Sequence, residues 1–434
     1  MKYYLAVDIG ASSGRHIVGI YNNGKLEIDE IYRFKNGVQE KDGHLIWDVQ
    51  YLFEEVKKGI KLALETYPNI ESMSVDTWGV DYVLLQGDKE VYPIYAYRDS
   101  RTKGIIDTVH KIIPFKDLYS ITGCQFQEFN TIYQLYKDKV DGRLEGVTDF
   151  LHIPEYLMYR LTGNKVKEYT NASTTGMMDL KTKSYSKRII EALGLDDKLF
   201  KPLQKQGFLV GDLLPEIQKE VNGNIKVTLC STHDTAAAVE GIPMDENAPY
   251  ISSGTWSLLG IKHPQGINTN IAMRANYSNE YGPNYVRLQK NIMGMWIYNN
   301  LASALNVSAI ELEDLASKSK YNEIFDVNAD CFLSSLSMKE TISQWYIRHM
   351  KKAPKTNEDF ARAVCISLAY SYKKAIEELE KITKQNYDAI YIVGGGAKNK
   401  LLNKLTEQYT KKRIIALPIE ATAIGNLLGQ IKGV

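Results

Sequence analysis

Asp8 closes the apolar run Tyr4-Leu5-Ala6-Val7 and is followed, after Ile9, by Gly10, Ala11, Ser12, Ser13, Gly14 and Arg15. A second segment of the same character, Tyr250-Ile251-Ser252-Ser253-Gly254-Thr255-Trp256, comes about half a chain later. Each reads as a short buried strand, a tight turn of small and hydroxyl residues, then a returning strand. Small residues let backbone N–H groups approach a phosphate, and hydroxyls add donors. A carboxylate at the end of a buried strand is costly unless it is paired or receives hydrogen bonds. Asp8 is therefore a candidate for holding Mg²⁺, directly or through water, beside nucleotide phosphates. The plainer alternative is a turn-initiating Asp bonded to its own backbone. Two such turns gripping one triphosphate would serve phosphoryl transfer.

His233-Asp234-Thr235 follows a strand ending at Leu229. Chemistry in α/β sheets collects at the carboxyl ends of strands, so Asp234 is placed to act as a general base for a sugar hydroxyl. His233 beside it is a candidate hydroxyl ligand. Asp is also among the best helix N-caps, and that reading stays open. Asp76-Thr77-Trp78-Gly79-Val80-Asp81 sets two carboxylates, an indole and a glycine after another strand. There Trp78 could cover the apolar side of a sugar while the carboxylates Asp76 and Asp81 take its hydroxyls, although an isolated Trp more often belongs to the core. Gly394-Gly395-Gly396, between a strand and a helix, would let adenine or ribose lie against bare backbone, with phosphates favoured by the helix dipole. Arg98-Asp99-Ser100-Arg101-Thr102 is dense in charge, but such clusters often merely brace a loop. Two competing motifs fail. Gly10 to Gly14 matches G-x-S-x-G, yet β-branched residues continue it as strand where a nucleophile elbow needs a helix. Gly19 to Lys25 nearly matches a P-loop, but Leu26 stands where a metal-binding hydroxyl belongs.

The elements that must carry these residues can be traced. Three antiparallel strands run to about Phe34, the last two joined at Asn22-Asn23-Gly24. Asp48 opens a helix with Leu52, Phe53, Val56, Ile60 and Leu64 on one face, ended by Tyr67-Pro68. Strands are expected at Ser72 to Asp76, Tyr82 to Leu85 and Ile225 to Leu229, and a helix from Ile153 closed by Gly163. Pro243 to Pro249 is a polar linker, which puts the domain boundary at 243/244. The second half shows a hairpin, a helix from about Asn357 to Thr383, a strand Ala389 to Val393 and a helix from about Asn399. Duplicated α/β domains closing on a cleft fit this order.

Composition narrows the class. The 434 residues are 44% hydrophobic and 24% charged, with 53 basic and 52 acidic side chains. That balance leaves no electrostatic footprint for nucleic acid or an anionic membrane. Cys124, Cys230, Cys331 and Cys365 are scattered, which suits reduced thiols and neither a disulfide frame nor a zinc site. With no apolar run of membrane-spanning length and no signal-peptide pattern, the expected compartment is the cytoplasm. Monomer and homodimer are both compatible with the sequence.

Assembled, these residues resemble the FGGY carbohydrate kinase family over nearly the whole chain. The resemblance rests on VDIGASSGR from Val7, DTWGVDYVLL from Asp76, AYRDSRT from Ala96, HDTAAAV from His233, SSGTWSLLG from Ser252, NIMGMW from Asn291, VGGGAKN from Val393 and EATAIGN from Glu420. It implies an α/β fold of two actin-like ATPase (ribonuclease-H-like) domains with an interdomain cleft. Residues 1–243 would form the sugar-binding domain and 244–434 the ATP-binding domain. The implied reaction transfers the γ-phosphate of Mg-ATP to the 1-hydroxyl of L-rhamnulose. Kinases for L-fuculose or xylulose, or an idle sugar-binding regulator, are the alternatives. Asp234 falls on the family's base. Ala11, Ser12, Ser13, Gly14, Arg15 and Thr255 fall on phosphate contacts, and Gly395 and Asn299 on other ATP contacts. Gly79, His233, Thr235 and Asn291 fall on sugar contacts. The family usually continues for several helices beyond EATAIGN, whereas this chain stops at Val434.

Overall fold

Alternation along β1 (Lys2–Ile9) organises the first unit of the chain. Leu5, Val7 and Ile9 enter a core shared with the helix α1 (Val49–Thr66), while Tyr4 and Ala6 on the opposite face pack on Ala423 and Leu427 of the C-terminal helix, Ala421–Gly433. Side chains two apart share a face of a strand, so Asp8 lies on the Tyr4 and Ala6 side. The computed structural model describes residues 1–244, 248–333, 337–417 and 419–433, so 245–247 of the expected linker lie outside the described residues.

α1 forms where Asp48 can cap it: its carboxylate accepts from Tyr51 N, and Leu52, Phe53, Val56, Ile60 and Leu64 are buried along one stripe. β2 (Ser13–Asn22) and β3 (Lys25–Lys35) complete the three-stranded meander. β4 (Ile70–Thr77) adds in parallel to β1. β5 (Tyr82–Gln86) and β6 (Asp149–His152) pair in a small side sheet, and α2 (Ile153–Thr162) ends at Gly163 with φ +76°. β7 (Leu209–Asp212) and β8 (Lys226–Thr228) finish the main sheet, whose order is β7-β8-β4-β1-β2-β3. α3 (Asp234–Glu240) follows β8 after a short crossing.

The chain divides into two compact units. Met1–Pro243, Pro264–Arg287 and Ala421–Val434 make up this first one, and Met244–His263 with Leu288–Glu420 the second. Segments 264–287 and 421–434, which the sequence reading gives to the second domain, thus pack with the first. The C-terminal helix is held there by close backbone approach. A Cβ on Gly425 would overlap the Ala237 carbonyl of α3, and one on Gly241 would overlap the Ala421 carbonyl. Neither neighbour is a movable side-chain tip. Gly425→Ala should therefore destabilise the protein by about 3 kcal/mol, measurable in urea, because overpacking against backbone cannot relax. Unchanged stability would show that the two helices have room to part.

The second unit repeats the first unit's plan. β9 (Tyr250–Ser253) pairs antiparallel with β10 (Trp256–His263) and parallel with β12 (Ala389–Val393), as β1 does with β2 and β4. β11 (Val286–Met293) lies beyond β10, and β13 (Arg413–Ala416) beyond β12. Helices α4 (Met295–Ala304), α5 (Ala309–Lys318), α6 (Asn357–Thr383) and α7 (Lys400–Thr410) complete it. α6 buries Phe360, Val364, Leu368, Tyr372, Ile376 and Leu379 at helical spacing, and its start is capped by Thr356. No helix among the described residues is long and apolar enough to cross a membrane.

Candidate active site

Three adjacent strands bring charge into one line. Asp8 on β1 is the register partner of Asp76 on β4 and of Arg15 on β2. Arg15 donates from Nε and Nη2 to Asp8 Oδ2, at 2.9 and 2.8 Å. Arg15, expected at a phosphate, thus pairs with Asp8, which is only 6% exposed. Asp76 is fully buried. Its Oδ2 accepts from Asn426 Nδ2 at 2.6 Å, and its Oδ1 has no hydrogen-bond partner among the described residues. Burial, with Asp8 and then Asp234 adding negative charge, pushes the Asp76 carboxyl well above the usual carboxylate range.

Asp234 is not the helix cap. His233 takes the N-cap position of α3 and makes no side-chain cap bond, while the Asp234 carboxylate accepts from its neighbour Thr235, from N at 2.5 Å and from Oγ1 at 3.1 Å. The Asp234 side chain is 33% exposed, enough for a ligand to reach. Burial and then Asp8 push its carboxyl up to about 7, against the pull of Thr235 and Arg287. His233 is buried, and its Nε2 lies 3.4 Å from Asp234 Oδ1. Burial and Arg287 hold its imidazole well below the ordinary histidine range, in the neutral form. The chain reaches this point by bridging: Thr77 N donates to Thr232 O at 2.9 Å, and Thr77 pairs with His233, which fastens the 76–81 loop to the head of α3.

Asp81 corrects the sequence reading. It was expected to take sugar hydroxyls, yet it is fully buried and encircled by donors. Oδ2 accepts from Trp47 Nε1 at 2.6 Å, Trp78 Nε1 at 2.9 Å and Tyr97 N at 3.0 Å, and Oδ1 from Gln134 Nε2 at 3.2 Å. Burial outweighs these donors and raises its carboxyl to about 6. Of the two readings open for Trp78 the core one holds: it is buried against Trp47 with ring centroids 4.2 Å apart. The two indoles and Asp81 form the base of the loop. Val80 sits in the left-handed region at φ +68°, uncommon for a β-branched residue. It is held there by Thr174 Oγ1 accepting from its N–H and by Thr131 Oγ1 donating to its carbonyl. Gly79 lies against Thr174, whose Cγ2 would come within 2.9 Å of a Cβ there.

The first glycine turn is closed by Gly10 N donating to Ser13 O at 2.9 Å, and Asn36 Nδ2 holds the Gly10 carbonyl. Ser12 is exposed, Ala11 and Ser13 are half-buried, and Gly14 is covered by the Phe34 ring. In the second unit, Gly254 N donates to Trp256 O at 2.8 Å, leaving Gly254 and Thr255 exposed at the tip. The start of α4 secures that tip: Met295 N and Trp296 N donate to the carbonyls of Gly254 and Thr255. Ser257 Oγ and Tyr372 OH tie it to α6 at 2.7 Å. Gly394, at φ +81°, is forced to be glycine by the Ser253 backbone, and Gly396 by the Ser253 side chain. Gly395 is exposed, with only Ser253 O near a would-be Cβ, at 3.9 Å. The glycine run leads into a 3₁₀ turn, Gly395–Lys398, before α7 begins, so no α-helix N-terminus lies directly behind it. Asn299 is exposed on α4, and Asn291 lies on β11.

A divalent cation fits the donors in the first unit. Asp8 and the unpartnered Asp76 Oδ1 are hard oxygen donors in a region where burial, and after it neighbouring negative charge, already raises two carboxyls. Among the described residues no group of three His, Cys, Asp or Glu side chains could cage a metal alone. Mg²⁺ typically takes one or two carboxylates and completes its shell with water and substrate phosphates.

The hairpin-plus-parallel-strand unit, present twice, and the carboxylates Asp8 and Asp76 at the strand ends of its first copy define a two-domain phosphotransferase fold. The chain belongs to the FGGY family of carbohydrate kinases: the family's N-terminal domain matches residues 3–241 and its C-terminal domain residues 249–432. The α/β fold of two actin-like ATPase domains implied by the motifs is the one found. Among its relatives are the rhamnulokinase of Oceanobacillus iheyensis, 41% identical over 99% of this chain and 93% of that protein, and that of Halalkalibacterium halodurans, 42% identical over the same shares. A solved ligand-bound xylulose kinase from Lactobacillus acidophilus superposes with a TM-score of 0.81 at 17% identity, covering all of this chain and 89% of that one.

Proposed function

We propose that this chain is a cytoplasmic kinase that phosphorylates the 1-hydroxyl of L-rhamnulose with ATP, giving L-rhamnulose 1-phosphate and ADP. The observation that carries this reading is Asp234: an accessible carboxylate, not used as a cap, raised to about 7 beside a neutral His233. The substrate comes from the relatives named rhamnulokinase, which are about 40% identical along the whole chain.

In the reaction Asp234 accepts the proton of the attacking hydroxyl as its oxygen bonds to the γ-phosphorus and the bond to ADP breaks. His233 and Thr235 orient the sugar, with Gly79 and Asn291 as further sugar contacts. Backbone donors of the Ala11 to Gly14 turn and of Thr255 take the phosphates, and Asn299 and Gly395 the rest of the nucleotide. Asp8, with Asp76, would hold Mg²⁺, which supplies neutralising charge to the phosphates when bound. Asp81 belongs to the support of the sugar loop and makes no sugar contact in this scheme.

Two results are expected. In an ADP-release assay over L-rhamnulose, L-fuculose and xylulose, L-rhamnulose should give the highest kcat/KM by about tenfold or more. A higher value for another ketose would move the assignment to that sugar, and sugar-independent ADP release would remove it. Because the base must be deprotonated, kcat/KM should rise with pH on a one-proton limb centred near 7. A flat profile between about pH 5.5 and 8.5 would contradict the role of Asp234.

A further inference from the structure

Behind His233, away from Asp234, stands a buried ion pair that no motif announced. Arg287 is fully buried and Glu280 nearly so, with Arg287 Nη2 3.3 Å from Glu280 Oε2. The same Nη2 lies 3.2 Å from His233 Nδ1, and Glu280 Oε2 is 3.4 Å from that nitrogen. On the far side of the ring, His233 Nε2 faces Asp234 Oδ1 at 3.4 Å. A neutral imidazole carries one proton, and its position here is constrained from both sides. A guanidinium can only donate, so Nδ1 beside Arg287 must accept. That leaves the proton on Nε2, 3.4 Å from Asp234 Oδ1, where its N–H dipole favours the carboxylate electrostatically without a formed hydrogen bond. The opposite tautomer would satisfy Glu280 alone, setting donor against donor at Arg287 and a lone pair against the Asp234 carboxylate.

We propose that Arg287 and Glu280 are positioning residues that lock His233 in the Nε2–H tautomer and thereby hold the Asp234 carboxylate aimed at the sugar hydroxyl. Glu280 balances the charge of Arg287 and fixes its guanidinium; neither residue needs to touch substrate. The catalytic part of this proposal rests on the kinase reading above, but the tautomer does not.

The test uses the intact protein labelled with ¹⁵N-histidine. A two-bond ¹H–¹⁵N correlation spectrum, with His233 assigned by its loss in His233→Gln, should show Nε2 protonated and Nδ1 bare. A protonated Nδ1, or a fast average of the two forms, would overturn the proposal. In Arg287→Met the fixed pattern should collapse and kcat should fall by about 10²-fold, as for misplacement of a reacting group, with KM for ATP unchanged. Arg287→Lys, which keeps a donor, should recover most of both. Should Arg287→Met fold poorly, the double change Arg287→Met with Glu280→Met removes both charges together, and the same loss of kcat is expected of it. Undiminished kcat in a folded variant would overturn the proposal. Absence of sugar phosphorylation by the unaltered protein would instead count against the kinase reading, leaving the spectrum to decide the tautomer.

Discussion

Asp234→Asn should lower kcat by about 10²–10⁴-fold without unfolding the protein. Asparagine keeps the size of the side chain and an oxygen to accept from Thr235 N and Oγ1. What it lacks is the capacity to take a proton at neutral pH. The substitution separates the two readings the sequence left open, because Asn and Asp cap helices equally well. A capping role would therefore leave activity and melting temperature near those of the parent. The structure argues against that outcome, since the cap position is His233. Steady-state kinetics alongside a thermal melt decide it: lost turnover with an unchanged melt supports the base, and retained turnover refutes it.

Asp81→Ala should show the largest loss of stability, on the order of 4 kcal/mol, because it strands several buried donors at once. Trp47 Nε1, Trp78 Nε1 and the Tyr97 amide would lose this partner, while Gln134 Nε2 keeps the Phe129 carbonyl at 2.9 Å. The vacated space would also loosen the Trp47–Trp78 contact beneath the strained Val80. Asp81→Asn should cost much less, since its carbonyl oxygen can keep the donors at Oδ2. Urea unfolding of the three proteins provides the check. Were Asp81 a sugar ligand instead, Asp81→Ala would raise KM for sugar with little change in the unfolding midpoint.

Much of the architecture was legible in the residues themselves. The meander to Phe34, the capped helix from Asp48, the helix Asn357–Thr383 and the strand before Gly394 all arise from local signals: alternation, caps and turn glycines. The return of the C-terminal helix to the first unit was not legible. It depends on Gly241 and Gly425 letting two backbones touch, and a glycine in a helix does not announce its distant partner. The surroundings of Asp81 are hidden in the sequence for a related reason. Its residue type suits a sugar, but three of its four donors come from Trp47, Tyr97 and Gln134, all outside its own motif. Asp76 reads in its motif as a sugar carboxylate and Asn426 has no role in its own, because their mutual bond joins residues from nearly opposite ends of the chain. Arg287 and Glu280 carried no local pattern at all; only the fold sets them behind His233. Pair chemistry, unlike periodicity, becomes readable once the partners are in place.

The most direct measurement is ³¹P and ¹H NMR of the product formed from L-rhamnulose and ATP by the parent protein and by Asp234→Asn. One ADP per sugar, phosphorus coupled to the methylene protons at C1, and loss of that signal in the variant are expected. Phosphate on another carbon, ADP released without sugar phosphate, or equal product from the Asn variant would each contradict the proposed reaction.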